Sequence, residues 1–359
     1  MIRLRRRPRG AAEGDPEASS HLDKAAGPRE RRSFEVRHVQ ALWHADFHVG
    51  SRKVLTTSGD WRSPVLLGFL DDRSRLCCHV QWYLAENTEV FVHGLIQAIQ
   101  KRGLPRALLT DNGSPMAASE VQQGLERLGI VHWTTLPYSP EQNAKQEIFW
   151  AQVEGRLMAM FEGHEELTLP LLNEGTQAWT ELEYNRGHHR EIGQSPLERF
   201  LAGPDVGRPS PSSEELRRAF RMEQRRKQRI SDGTITVEGK RFELPSRYRT
   251  LPYPTVRYAR WDLSTVDLVD PRSGKHLCVL LPQDKEKNAD GRRHALDAVV
   301  TEVAPPPPVL EPGIAPLLKK LMADYAATGL PPAYVPLDDQ PDAGDVAPPS
   351  PTTVPEETP

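Results

Sequence analysis

This sequence of 359 residues holds only three cysteines, Cys77, Cys78 and Cys278. Two are adjacent and the third is distant, which suits neither a disulfide framework nor a zinc ribbon and fits a reducing compartment. No apolar run approaches the roughly 18 residues that a membrane span needs, and no signal-peptide pattern is present. The expectation is a soluble cytoplasmic chain with no membrane partner. Net charge is also scarce, only −3, which on its face speaks against a nucleic-acid partner. The average hides a strong asymmetry, however. Arg3, Arg5, Arg6, Arg7 and Arg9 crowd the first ten residues, and Arg217 to Arg229 holds seven basic residues against one acidic. From Val303 onward the balance reverses, with eight Asp or Glu against Lys319 and Lys320. The basic patches, rather than the total, report the expected partner, which is DNA.

Two stretches carry the chemistry. Arg106 to Thr110 reads as a short apolar strand that delivers Asp111 just before an Asn112-Gly113 turn. Leu136-Pro137-Tyr138-Ser139-Pro140-Glu141-Gln142-Asn143-Ala144-Lys145-Gln146-Glu147 reads as a helix start. Ser139 suits the N-cap, Pro140 the first helical position, and Gln142 completes a capping box. Phe149, Val153, Leu157 and Met160 then recur at helical spacing as a buried stripe, leaving Glu147 free to face a site. Exactly 35 residues separate Asp111 from Glu147. Upstream, Asp46 lies in the strand-like run Leu42 to His48. Three carboxylates on two strands and a helix suit hard divalent cations, because Mg²⁺ takes a few carboxylate oxygens and leaves its other positions to water and phosphate.

On these letters the segment from about Arg32 to Gly203 resembles the catalytic core of retroviral integrases and of bacterial insertion-sequence transposases with the Asp, Asp, 35-residue gap, Glu signature. Thr110-Asp111-Asn112-Gly113-Ser114 and Pro137-Tyr138-Ser139-Pro140-x-Gln142-Asn143-x-Lys145-x-Glu147 carry that resemblance. It implies an α/β, ribonuclease H-like core: a mixed five-stranded sheet with helices on both faces and the carboxylates at one end. It also implies two-metal phosphoryl transfer with no protein nucleophile. Asp46, Asp111 and Glu147 would hold two Mg²⁺, with Mn²⁺ able to substitute, for 3′-end cleavage and strand transfer of a mobile element by a homo-oligomer on DNA. Lys145, with Ser139, Gln142 and Asn143, lines the approach to Glu147 and is the candidate contact to a DNA phosphate.

Along the chain, residues 1–33 form a basic arm without apolar periodicity, expected to be disordered, and leave no room for the helix-turn-helix unit usual ahead of such a core. The core is expected over 34–203. Its strands are Leu42 to Val49, Ser63 to Leu70, Leu76 to Tyr83, Arg106 to Thr110 and Ile130 to Thr135. Its helices are Thr88 to Lys101, Ser119 to Leu128 and Thr168 to Arg186, with a second capping box at Ser195 and Glu198. Residues 204–230 are a linker and an Arg-rich helix on which Arg217, Arg221 and Arg225, with Arg226, present a cationic stripe toward DNA. Short strands over 231–300 suggest a small β-barrel, similar to the C-terminal barrel of Mu-type transposases. Residues 301–359 are a Pro-rich acidic tail with one amphipathic island at Leu317, Leu318, Leu321, Met322 and Tyr325. That island either docks a partner protein through residues 314–330 or packs back on its own domain.

Four further readings belong beside this one. His44, Asp46 and His48 alternate on one strand and so share a face, which invites a transition-metal site. Asp71 and Asp72 read as a charged turn neutralised by Arg73 and Arg75. For the whole chain, a non-catalytic DNA-binding remnant is suggested by the missing end reader and by Ala144, where the resembling proteins carry Gly. A stand-alone nuclease on the same fold is the other alternative.

Overall fold

The computed structural model describes residues 35–135, 144–284 and 313–328. The strands of the core are β1 (Trp43–Val49), β2 (Val54–Leu55), β3 (Trp61–Arg62), β4 (Val65–Asp71), β5 (Cys77–Tyr83), β6 (Ala107–Thr110) and β7 (Val131–Thr134). Five of them make one sheet in the order β5-β4-β1-β6-β7. β1 pairs antiparallel with β4, and β4 with β5, whereas β1 with β6 and β6 with β7 run parallel. Three antiparallel strands followed by two parallel ones, reached through helices, give a ribonuclease H-like sheet. The small β2–β3 hairpin was not expected, because two-residue strands are too short to show alternation.

Alternation along the strands sends side chains to two separate cores. Leu66, Leu70, Val80 and Trp82 go to one face, Leu67, Phe69 and Cys78 to the other. The first face is covered by α4 (Ala144–Gln152), which continues through a π turn (Val153–Leu157) and a 3₁₀ turn (Met158–Phe161), and by α5 (Leu169–Trp179) with its π extension (Thr180–Tyr184). The second is covered by α1 (Thr88–Arg102) and α3 (Ser119–Arg127), with the short α2 (Ser114–Ala117) between them. Asn87 caps α1 by accepting from the Val90 N–H at 2.9 Å, and Gly103, at φ +86°, ends it in a conformation that favours glycine. α6 (Pro196–Ala202) starts at the expected Ser195–Glu198 capping box, with both reciprocal bonds made.

After α7 (Ser213–Ala219) come β8 (Met222–Arg225), β9 (Gln228–Arg229), β10 (Thr234–Val237), β11 (Lys240–Glu243), β12 (Thr255–Ala259), β13 (Asp262–Val269) and β14 (His276–Leu280). They form two sheets, β11-β10-β9 and β14-β13-β12-β8, around one apolar cluster that includes Ile235, Phe242, Val256, Tyr258 and Leu268.

One expectation needs correcting, and another is decided between its two alternatives. The Arg-rich stretch is not one helix: α7 stops at Ala219, and Phe220 and Met222 go inward at period two while β8 pairs with β12. Four-residue arginine spacing is therefore overridden by strand pairing, and no single cationic stripe forms. The amphipathic island is α8 (Pro316–Ala326), and of its two expected forms it takes the second, packing back on the core. Leu318, Leu321, Met322 and Tyr325 are buried in the same cluster as α5, anchored where the Ala315 N–H donates to the Met160 carbonyl at 2.9 Å. Among the described residues, no helix is long and apolar enough to cross a membrane.

Candidate active site

On β1, Trp43 and Ala45 face the α1 side, so His44, Asp46 and His48 face α4. The parallel pairing of Trp43 with Leu108 and His44 with Leu109 brings Asp46 level with Asp111, each two residues beyond the His44–Leu109 pair. Asp111 follows the last residue of β6 and is shaped by its own turn. Its Oδ1 accepts from the Gly113 N–H at 2.8 Å, and Asn112 Nδ2 donates to the Thr135 carbonyl at 3.0 Å. A Cβ at position 113 would stand 2.9 Å from Asp111 Oδ1 and would press on that carboxylate.

Burial pushes Asp46 up to about 6, and the neighbouring Asp111 carboxylate pushes it the same way. The Phe47 N–H, 2.9 Å from Asp46 Oδ1, opposes this, as does the Trp150 indole, whose buried N–H lies near Asp46 but short of a full hydrogen bond. Two carboxylates that repel each other in a half-buried place are a donor set that a hard divalent cation relieves, so these residues fit Mg²⁺. Glu147 is exposed on the first turns of α4, while Gln146, Phe149 and Trp150 are buried. Of the expected stripe, Phe149, Val153 and Leu157 are buried and Met160 is partly buried. The structure thus pairs Asp46 with Asp111 and leaves Glu147 on the helix beside them. Among the described residues, no three His, Cys, Asp or Glu side chains gather closely enough to form a metal cluster.

The rival metal reading of β1 finds no support, because both histidines are held by their own carboxylates. His44 Nε2 lies 2.7 Å from Asp72 Oδ1, and His48 Nε2 lies 3.0 Å from Glu154 Oε1 while its ring stacks on Trp150. Asp71 and Asp72 are not a solvated turn either, for both are fully buried. Asp71 accepts from the Ser74 N–H and Oγ and from the Gln40 N–H. Asp72 takes His44, the Val36 N–H at 2.8 Å and Lys145 Nζ, and His44 and Lys145 hold its carboxyl far below the usual range against the effect of burial. Lys145 therefore turns into the protein, where burial pushes its ammonium down, rather than outward to DNA. Sequence reasoning missed Asp72 because a Gly-free Asp-Asp-Arg-Ser turn looks like any charged surface turn.

Of the other expected DNA contacts, Ser139, Gln142 and Asn143, and with them the first capping box, lie outside the described residues. Arg221 is bound to Asp267 at 2.9 Å and Thr265 at 3.1 Å, and Arg226 to Glu238 at 3.1 Å and to the Tyr258 hydroxyl at 2.5 Å. Arg217 and Arg225 are exposed, Arg225 with its guanidinium 5.2 Å from the Tyr253 ring centre.

Residues 37–140 match the family model described as the integrase core domain. No curated protein matches the sequence. Among solved structures, the chain is 17% identical to a chain of the simian T-cell lymphotropic virus intasome in complex with PP2A regulatory subunit B56 gamma, covering 74% of this chain and 85% of that one with a TM-score of 0.41. It is 19% identical to the HTLV-2 integrase catalytic core domain in complex with magnesium, covering 47% and 99% with a TM-score of 0.36. It is 21% identical to the catalytic core domain of BIV integrase, covering 45% and 94%, again with a TM-score of 0.36. With TM-scores below 0.5, none of these bears on function. The matched family segment contains Asp46 and Asp111 and stops seven residues short of Glu147.

Proposed function

We propose that this chain is a DNA transposase or integrase of a mobile element, which cleaves the element's 3′ ends and joins them to target DNA as a multimer at the nucleoid. The observation that carries the reading is the Asp46–Asp111 pair, level on adjacent parallel strands inside a segment similar to the integrase core domain. Asp46, Asp111 and Glu147 would hold two Mg²⁺ or Mn²⁺. Bound there, the ions would activate a water or 3′-hydroxyl and stabilise the leaving oxygen. The protein's own part is positioning: β1 and β6 fix two carboxylates, α4 presents the third, and the Asn112-Gly113 turn keeps the Asp111 carboxylate in place.

DNA backbone contacts fall to arginines that the fold leaves outward. Arg225 on β8 and Lys227 just after it are exposed, with the Arg225 guanidinium over the exposed Tyr253 ring, and Arg229 on β9 is exposed beside Asp232. Such contacts are independent of sequence and weaken steeply with salt.

The test is strand transfer of labelled DNA flanking the gene into a plasmid with Mg²⁺ or Mn²⁺, compared with Asp111→Asn. Joined product that disappears in the variant supports the reading. Cutting without joining favours a nuclease, and salt-sensitive binding without either favours a non-catalytic remnant.

A further inference from the structure

We infer that Asp72 is a positioning residue for the candidate active site: it ties the start of α4 to the sheet through Lys145 and thereby sets where Glu147 stands. The inference rests on the proposed role of Glu147. Asp72 follows the last residue of β4 and is fully buried. Its Oδ1 receives both His44 Nε2, at 2.7 Å, and Lys145 Nζ, and its Oδ2 receives the Val36 N–H at 2.8 Å. His44 lies two residues before Asp46 on β1, and Lys145 two residues before Glu147 on α4. One carboxylate thus joins the two elements that carry two of the three candidate metal-holding groups.

The next residue repeats the tie. Gln146 is buried, and its Nε2 donates to the Gly68 carbonyl at 3.2 Å, Gly68 being the β4 partner of Asp46 in the sheet register. Lys145 and Gln146 are therefore held inward by side-chain bonds while Glu147, next along the helix, projects outward. A helix start whose two preceding side chains are anchored has little freedom to rotate or slide, and that is how a carboxylate on a helix is kept in productive geometry. A lysine two residues before a catalytic carboxylate would otherwise be taken for a DNA contact, and its burial against Asp72 argues for the structural tether instead.

The test compares Asp72→Asn, Lys145→Met and the double variant Asp72→Asn/Lys145→Met in the full chain. Either single change leaves a buried charge without its partner and risks misfolding, whereas the double change removes both charges and keeps the volume. Hydrogen exchange followed by mass spectrometry reads the tether without requiring activity. The expected result in the double variant is a thermal midpoint near that of the wild type, faster exchange of the amides of residues 144–149, and unchanged exchange in 43–49. Strand transfer should fall roughly 10- to 100-fold, with a higher Mn²⁺ concentration for half-maximal rate. DNA affinity and its salt dependence should stay unchanged. Wild-type exchange at 144–149 in a folded double variant would overturn the inference. So would a loss of DNA affinity in Lys145→Met that Asp72→Asn does not share, since that outcome makes Lys145 a phosphate contact. If the wild type never joins DNA but exchange at 144–149 still responds, the tether stands and the functional reading falls.

Discussion

Asn173 holds Trp82 by both ends of its amide: Oδ1 accepts from the Trp82 N–H at 2.7 Å, and Nδ2 donates to the Trp82 carbonyl at 3.0 Å. Trp82 lies on β5, an edge of the sheet, where outward backbone groups have no neighbouring strand. Asn185 treats Cys77 in the same way, at 2.9 and 3.1 Å, and Gln177 donates to the Val80 carbonyl. Amides of α5 and its extension thus stand in for a sixth strand. They satisfy buried groups that would otherwise have no partner.

Asn173→Ala should therefore strand one buried N–H and one buried carbonyl, at about 2–4 kcal/mol. Asn173→Ser, too short to reach both, should cost nearly as much. Urea unfolding checks it: a midpoint within error of the wild type would mean that water replaces the amide.

The all-β unit is joined to the core through a buried acid. Glu120, on α3, is fully buried, and Arg260 binds it with two bonds, Nε at 2.7 Å and Nη2 at 2.9 Å. Arg260→Ala leaves that carboxylate buried without its cation and should cost about 3 kcal/mol, the low end for such pairs because Arg260 is half exposed. Glu120→Gln placed on the same background should recover most of the loss. A double variant no more stable than Arg260→Ala would show that the pair does not act as a unit.

Elements with strong local signals were legible in the sequence. The three antiparallel strands, α1 and the two parallel strands appear within about two residues of the expected limits, because alternation, the Asn87 cap and Gly103 are all local features. Asp46 and Asp111 were legible for the same reason, as carboxylates ending or lying within strands. What was not legible depends on distant partners. Arg221 and Arg226 look like surface cations until Asp267 and Glu238 arrive from other strands, and Asp72 looks solvated until Lys145 folds over it. Composition gives no hint of such pairings, since they are made between elements far apart in the chain.

Acid should weaken the fold through two histidines behind the sheet. Burial pushes His93 down from 6.5 to about 4, and burial together with the nearby Lys101 and His93 pushes His79 well down. Both are therefore neutral in the folded state over a range where the unfolded chain binds protons. A depressed folded value means that stability is fully present above 6.5 and is lost as pH falls toward 4. For His93 alone the loss reaches about 3 kcal/mol at the bottom of that window. Thermal midpoints from pH 7 to pH 4 test this, with His93→Gln expected to fall less steeply than the wild type. Equal slopes would remove His93 from the account.

Gly68 lets α4 lie close to the sheet beside Asp46, and this should make it intolerant of even one methyl group. A Cβ there would stand 2.6 Å from Trp150 Cη2 and 3.2 Å from Gln146 Nε2. Trp150 cannot swing away, because it is buried between Phe149 and the His48 ring. Gly68→Ala should therefore lift the start of α4, costing about 1–3 kcal/mol as overpacking and moving Glu147 relative to Asp46. Stability and strand transfer should fall together. Trp150→Phe on the same background removes the clashing ring atoms and should return part of both. If Gly68→Ala left stability unchanged but slowed joining, the helix would have shifted without strain; if it left both unchanged, close approach at Gly68 would not be what seats the helix.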